Sequence, residues 1–90
     1  MVERKQAVVA AHKFSIRNRE ILEQSRLCGC FHCQKIFPPT ELKPKHFERE
    51  AEGGETAFCP YCGIDSLIGD QSGYAVEPEL LAAMKAYWFD

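Results

Sequence analysis

Two short stretches carry the residue types that do chemistry in this chain: CGCFHCQK at residues 28–35 and CPYCG at residues 59–63. Each holds a Cys-x-x-Cys pair, Cys30 with Cys33 and Cys59 with Cys62. A turn of this kind lets two thiolates reach one tetrahedral ion at about 2.3 Å, while backbone N–H groups just past the turn hydrogen-bond to the sulfurs. Gly63 suits such a turn, since a left-handed residue after the second cysteine costs glycine little. Two facing turns complete four coordination and leave no open position. The expected cofactor is therefore a structural zinc held by Cys30, Cys33, Cys59 and Cys62. Spacing alone does not separate zinc from iron; metal analysis does.

Cys28 is the odd thiol. A one-residue spacing to Cys30 is too tight for the usual knuckle, and pairing it with Cys33 would strand Cys30. Two readings stay open. One is a small buried apolar side chain at a helix end. The other is a reactive thiol, which would need a depressed pKa supplied by Arg26 or a helix N-terminus. His12, His32 and His46 are read as core or solvent residues, outside the ligand set.

Other chemistries meet specific obstacles. Cys-Pro-Tyr-Cys is also the redox motif of glutaredoxins, but a dithiol oxidoreductase needs its first cysteine at the start of a long helix. Here the motif follows a hairpin pattern and runs into a Gly/Asp/Ser-rich stretch from Gly63 to Gly73. Rubredoxin, an iron electron carrier, shares the paired layout but normally shows glycine soon after both knuckles, whereas Gln34 follows Cys33. A metal-dependent hydrolase needs a histidine base beside a catalytic metal, and no Asp-His pair is present. The residues thus point away from an enzyme.

The elements that must position the thiols can be read from periodicity. From Gln6 to Ser25 there is no Gly or Pro, and Ala7, Ala11, Phe14, Asn18, Ile21, Ser25 and Cys28 recur at alternating steps of four and three. That is a helical stripe interrupted by Asn18 and Ser25, compatible with one long helix ending at Gly29 or two shorter ones broken near Ser15. KIF reads as a short strand stopped by Pro38-Pro39, with Thr40 capping a turn through Leu42. HFEREAEGGETAF places Phe47, Arg49 and Ala51 on one side, turns near Gly53-Gly54, and returns through Thr56 and Phe58. It predicts a hairpin, closed either by a two-residue turn, with Glu52 opposite Glu55, or by a longer loop. Gly63 to Gly73 reads as a loop with one helical turn begun by Asp65. In EPELLAAMKAYWF, a proline at the first helical position precedes Leu80, Leu81, Met84, Tyr87 and Trp88 on one face, an amphipathic helix.

The totals explain why a metal is wanted. Ninety residues suffice for one domain whose core is marginal without a staple. No apolar run exceeds the five residues of AVVAA at 7–11, far short of the roughly 20 residues of a transmembrane helix and short of a secretory signal core. A cytoplasmic location follows as an expectation, and there thiols stay reduced and serve metals. The net charge of -2 divides unevenly: residues 1–27 hold six Lys/Arg against three Asp/Glu, residues 28–58 four against five, and residues 59–90 one against five. These charges, and the two more that four thiolates add to a divalent ion, suit a phosphate backbone poorly.

With those motifs in view, the chain resembles a family of small bacterial zinc-ribbon-like proteins described only as cytoplasmic proteins. The likeness rests on NREIL (18–22), CGCFHC (28–33), IFPPTEL (36–42), TAFCPYCGIDSLIGD (56–70) and the terminal YWF (87–89). It covers most of the chain from about Ser15 onward. The resemblance implies zinc and the cytoplasm and brings no activity; the doublet Cys28-Gly-Cys30 recurs in its pattern.

The expectation is an α+β fold in a single zinc-stabilised domain, residues 1–90. A helical arm (1–27) and a C-terminal helix (77–89) clamp a zinc ribbon (28–70) made of the two Cys-x-x-Cys knuckles and a β-hairpin. The basic first segment and the acidic last one are expected to face each other. The expected role is non-catalytic: binding another cytoplasmic protein as a regulator, adaptor or immunity-type partner. Tyr87, Trp88 and Phe89 are the candidate contacts, because aromatics are enriched at interface centres, although each also fits a core position. The alternative is a nucleic-acid-binding zinc ribbon using Arg17, Arg19, Lys35, Lys43, Lys45 and Arg49, with Phe31, Phe47, Phe58 and Tyr61 to stack bases.

Overall fold

A computed structural model describes residues 4–89. The first three residues of the expected arm, and Asp90, lie outside them. Among the described residues the α-helices are α1 (Arg4–His12), α2 (Arg19–Gln24) and α3 (Pro78–Trp88). The strands are β1 (Cys28–Cys30), β2 (Ile36–Phe37), β3 (Phe47–Arg49), β4 (Glu55–Ala57) and β5 (Leu67–Gly69). They form an antiparallel three-stranded sheet in the order β2-β1-β5 and a separate β3-β4 hairpin. The α+β class is as expected.

The N-terminal stripe forms two helices. A 3-10 turn at Lys13–Ser15 ends the first, and Arg17 then takes a positive φ of 49°. The buried positions are Val8, Ala11, Ser15, Asn18, Leu22 and Ser25, while Ala7, Phe14 and Ile21 are only partly buried. Asn18 is no defect in that stripe. Fully buried, it donates through Nδ2 to the carbonyls of Phe14 (2.9 Å) and Leu67 (2.8 Å) and accepts the Ala57 N–H at 3.1 Å. One amide thereby satisfies backbone groups on the first helical layer, β5 and β4 at once, as a buried polar side chain must.

The expectations for Cys28 and for the stretch after Gly63 need correction. Cys28 does not sit on a helix end: α2 stops at Gln24, and Cys28 opens β1. The stretch after Gly63 is not all loop, because Leu67–Gly69 is a fully buried strand that pairs with β1 (Cys28↔Gly69, Gly29↔Ile68, Cys30↔Leu67). Its turn-forming neighbours masked it. Gly69 is there for space: an added Cβ would lie 2.3 Å from Ser25 Oγ and 3.0 Å from Leu22.

The three-stranded sheet is a partition, since successive residues on a strand face opposite sides. On one side Gly29, Ile36 and Ile68 are aligned; Ile68 packs there with Phe31, Val76, Leu80, Leu81 and Met84 under α1 and α3. Gly29 has no side chain because Val76 and Leu81 would stand 2.7 and 2.9 Å from its Cβ. On the other side Cys28, Cys30, Phe37 and Leu67 join Leu22, Ala57 and Cys59. The helices therefore do not clamp the cysteine region from two sides. α1 and α3 form one layer together, and α2 covers the opposite core.

The β3-β4 hairpin closes through a longer loop, not a two-residue turn. Arg49 pairs with Glu55, the Glu50 N–H donates to the Gly54 carbonyl at 3.0 Å, and Gly53 and Gly54 supply positive φ. Glu52 and Glu55 are not opposed. Phe47 lies across from Ala57, so Thr56 is on the other face from Phe47. The turn after β2 is a 3-10 turn at Pro39–Glu41 following Pro38, with no side-chain cap from Thr40.

Candidate metal centre

The two knuckles are built by the same backbone device. In the first, on the β1-β2 connection, the Cys30 N–H donates to the Lys35 carbonyl (3.0 Å) and the Gln34 N–H to the Cys30 carbonyl (2.8 Å). In the second, between β4 and β5, the Cys59 N–H donates to the Ile64 carbonyl (2.9 Å) and the Gly63 N–H to the Cys59 carbonyl (2.8 Å). The residue after each second cysteine is left-handed, Gln34 at φ 67° and Gly63 at φ 78°. The missing glycine after Cys33 therefore does not distinguish this chain from a rubredoxin-type knuckle, because Gln34 adopts the conformation anyway.

These turns bring Cys30, Cys33, Cys59 and Cys62 together, with all four sulfurs within 4.8 Å of one another. Cys30 lies 3.6 Å from Cys62, and Cys33 lies 3.6 Å from Cys59. Sulfurs around a tetrahedral zinc stand about 3.8 Å apart, as the 2.3 Å bond length requires. The donor set fits a metal ion. Cys30 and Cys59 are buried, and Cys33 and Cys62 form the partly open edge.

Hydrogen bonds to the sulfurs are part of the arrangement. Cys30 Sγ accepts the N–H groups of His32 (3.3 Å) and Cys33 (3.4 Å), and the Ser66 hydroxyl lies 3.0 Å from it. Cys59 Sγ accepts the Tyr61 N–H at 3.4 Å. Burial works to raise the Cys30 thiol, but the Ser66 hydroxyl and the two N–H groups outweigh it and hold that thiol below its ordinary range. Burial wins at Cys59 and Cys62, which are pushed up. Ser66 went unnoticed in the sequence, since a serine beside a glycine-rich run looks like turn composition.

Cys28 stands apart from the cluster. It is fully buried beside Leu22 and Phe37, and burial, aided by the nearby Asp70 carboxylate, pushes its thiol up to about 12. That is the environment of a packing residue, opposite to what a reactive thiol needs. The histidines also stay outside the cluster: His12 stacks on Trp88 with ring centroids 3.9 Å apart, His32 meets the Phe89 ring at 4.7 Å, and His46 Nδ1 accepts the Lys43 N–H.

The remaining candidate residues are spread over the surface. Arg19 is ion-paired with Glu55 (2.6 Å) and Glu23 (3.0 Å) and lies over the Phe47 ring, and Arg17 reaches Glu52 at 3.8 Å. Lys35 lies over the Tyr61 ring, and Lys43, Lys45 and Arg49 are exposed. Phe31 is buried, Phe47 and Phe58 are partly buried, and Tyr61 is exposed with its hydroxyl donating to Glu41. At the C-terminus Tyr87, Trp88 and Phe89 are 49%, 37% and 43% exposed. Trp88 is nevertheless anchored, its indole N–H donating to the Val8 carbonyl at 3.3 Å. No helix among the described residues is long and apolar enough to cross a membrane. Comparison with family models, curated proteins and solved structures returned no match.

Proposed function

We propose that this chain is a non-catalytic protein-binding module of the cytoplasm whose zinc-ribbon-like core is stapled by one structural zinc on Cys30, Cys33, Cys59 and Cys62. The observation that carries the reading is the closed sulfur cluster: four thiols within 4.8 Å, with no histidine or carboxylate among them. Such a donor set fills a zinc coordination sphere, leaving no position for a catalytic water. Reduced thiols are a condition for the metal, which supports the cytoplasm as its setting. The zinc-ribbon-like bacterial family that the motifs resemble agrees with this.

Binding of a partner protein is supported by three consecutive aromatics that stay partly exposed at the end of α3. The nucleic-acid reading is weakened by the ion pairs of Arg17 and Arg19, which already neutralise two of its six cations. Tyr87→Ser and Phe89→Ser, made separately, test the module. Pull-downs from native cytoplasm are expected to retain a protein on the wild type that both variants lose. Retention of nothing, or equal retention by all three, overturns the reading. Oligonucleotide binding that falls steeply between low and moderate salt would favour the alternative instead.

A further inference from the structure

We propose that the Ser66 hydroxyl is a positioning part of the metal centre, donating a hydrogen bond to the Cys30 thiolate and thereby setting how tightly the site holds its ion. The inference rests on the reading of the four-cysteine cluster as a metal site.

Ser66 is 1% exposed and Cys30 is 0% exposed, so neither group has water to turn to. A buried hydroxyl needs a partner. Among the described residues its side chain meets Cys30 Sγ, at 3.0 Å. A thiol and a hydroxyl can each donate to the other, but a metal-bound thiolate has no proton to give. Ligation therefore fixes the direction, and Ser66 becomes the donor.

The backbone holds the hydroxyl in place. The Ser66 carbonyl accepts the Phe31 N–H at 3.0 Å, next in sequence to Cys30, and Leu67 pairs directly with Cys30 in the sheet. Ser66 is thus clamped on both sides at the level of the sulfur it meets. Beside the near-identical backbone of the two knuckles, this contact is an asymmetry: Cys30 has a hydroxyl at its sulfur in addition to peptide N–H groups, whereas Cys59 accepts the Tyr61 N–H. Four thiolates on a divalent ion leave about two negative charges on the centre, and each donor aimed at a sulfur spreads that charge.

The test uses the full chain loaded with cobalt(II), as wild type, Ser66→Ala and Ser66→Thr, with affinity measured by competition against a chromophoric chelator. Wild type is expected to give the spectrum of a tetrahedral four-sulfur site. Ser66→Ala is expected to bind the ion about 10- to 100-fold more weakly, the usual effect of losing such a partner. Its sulfur-to-cobalt charge-transfer band should move to longer wavelength, because a sulfur without the hydrogen bond gives up an electron more readily. Ser66→Thr should restore both readouts; if its extra methyl prevents folding, the alanine band decides alone. A purely structural serine would lower the melting temperature and leave the band where it is. An unshifted band with affinity unchanged in Ser66→Ala overturns this inference and leaves the metal reading standing. Failure of the wild type to take up cobalt overturns both.

Discussion

At the scale of single residues, the five cysteines divide into two chemistries by position and not by the face they occupy. Cys28 and Cys30 are two apart on β1 and face the same side of the sheet, yet only Cys30 belongs to the sulfur cluster. Burial keeps Cys28 protonated. With its thiol pushed up to about 12, roughly one molecule in ten thousand carries the thiolate at pH 8. Iodoacetamide at pH 8 should therefore leave Cys28 of the metal-loaded protein unmodified, as fragment-resolved mass spectrometry would read, and rapid alkylation there would contradict its role as packing. The sign of the pH effect follows from the same shift. The folded pKa lies above the ordinary 9.0, so the contribution to stability is complete below pH 9 and is lost as pH rises through about 12. The four clustered cysteines were legible in the sequence because Cys-x-x-Cys is a local geometric instruction. Ser66 was not, because its partner is 36 residues away and nothing local to Ser66 points at a sulfur.

At the scale of elements, Asn18 does the joining. Its side chain links the start of α2 to β5 and β4 through one backbone hydrogen bond each, with a third to the Phe14 carbonyl. Asn18→Ala would strand the Leu67 carbonyl and the Ala57 N–H in the interior. The expected cost is about 3 kcal/mol, from the penalty on buried groups left without partners, measurable as a lower urea midpoint of the metal-loaded protein. A loss below about 0.5 kcal/mol, within the range of an ordinary surface change, would show that the bridge does not matter. Sequence periodicity located this residue on the buried stripe but read its polarity as weakness, since a stripe shows which way a side chain faces and not what waits for it. The same limit hid β5. A three-residue strand between Ser66 and Asp70 has too little length for alternation to appear, and its two faces are covered by residues far away in sequence, Ile68 by the α1–α3 layer and Leu67 and Gly69 by Leu22 and Ser25. The C-terminal helix, eleven residues long with Leu80, Leu81 and Met84 buried, was legible because several turns repeat one pattern.

At the scale of the whole molecule, the sheet divides the interior into two small cores, and the cysteines belong to one of them. Among the described residues no ion pair joins the basic first segment to the acidic last one, although α1 packs against α3. Among the described residues the ion pairs across the fold run from Arg17 and Arg19 to Glu52 and Glu55 of the hairpin, joining the first segment to the middle one. These are partly exposed pairs, worth about 0–1 kcal/mol each. Among the described residues the core that holds the cysteines has Leu22, Phe37, Ala57 and Leu67 as its other buried apolar side chains, and on the proposed reading the ion adds the cross-link between the two knuckles. The most direct measurement is metal content together with thermal unfolding before and after chelation. One zinc per chain is expected, with a cooperative transition that is lost or falls steeply in temperature once a strong chelator has removed it. Metal-free protein that melts cooperatively at the same temperature with and without the chelator would contradict the account.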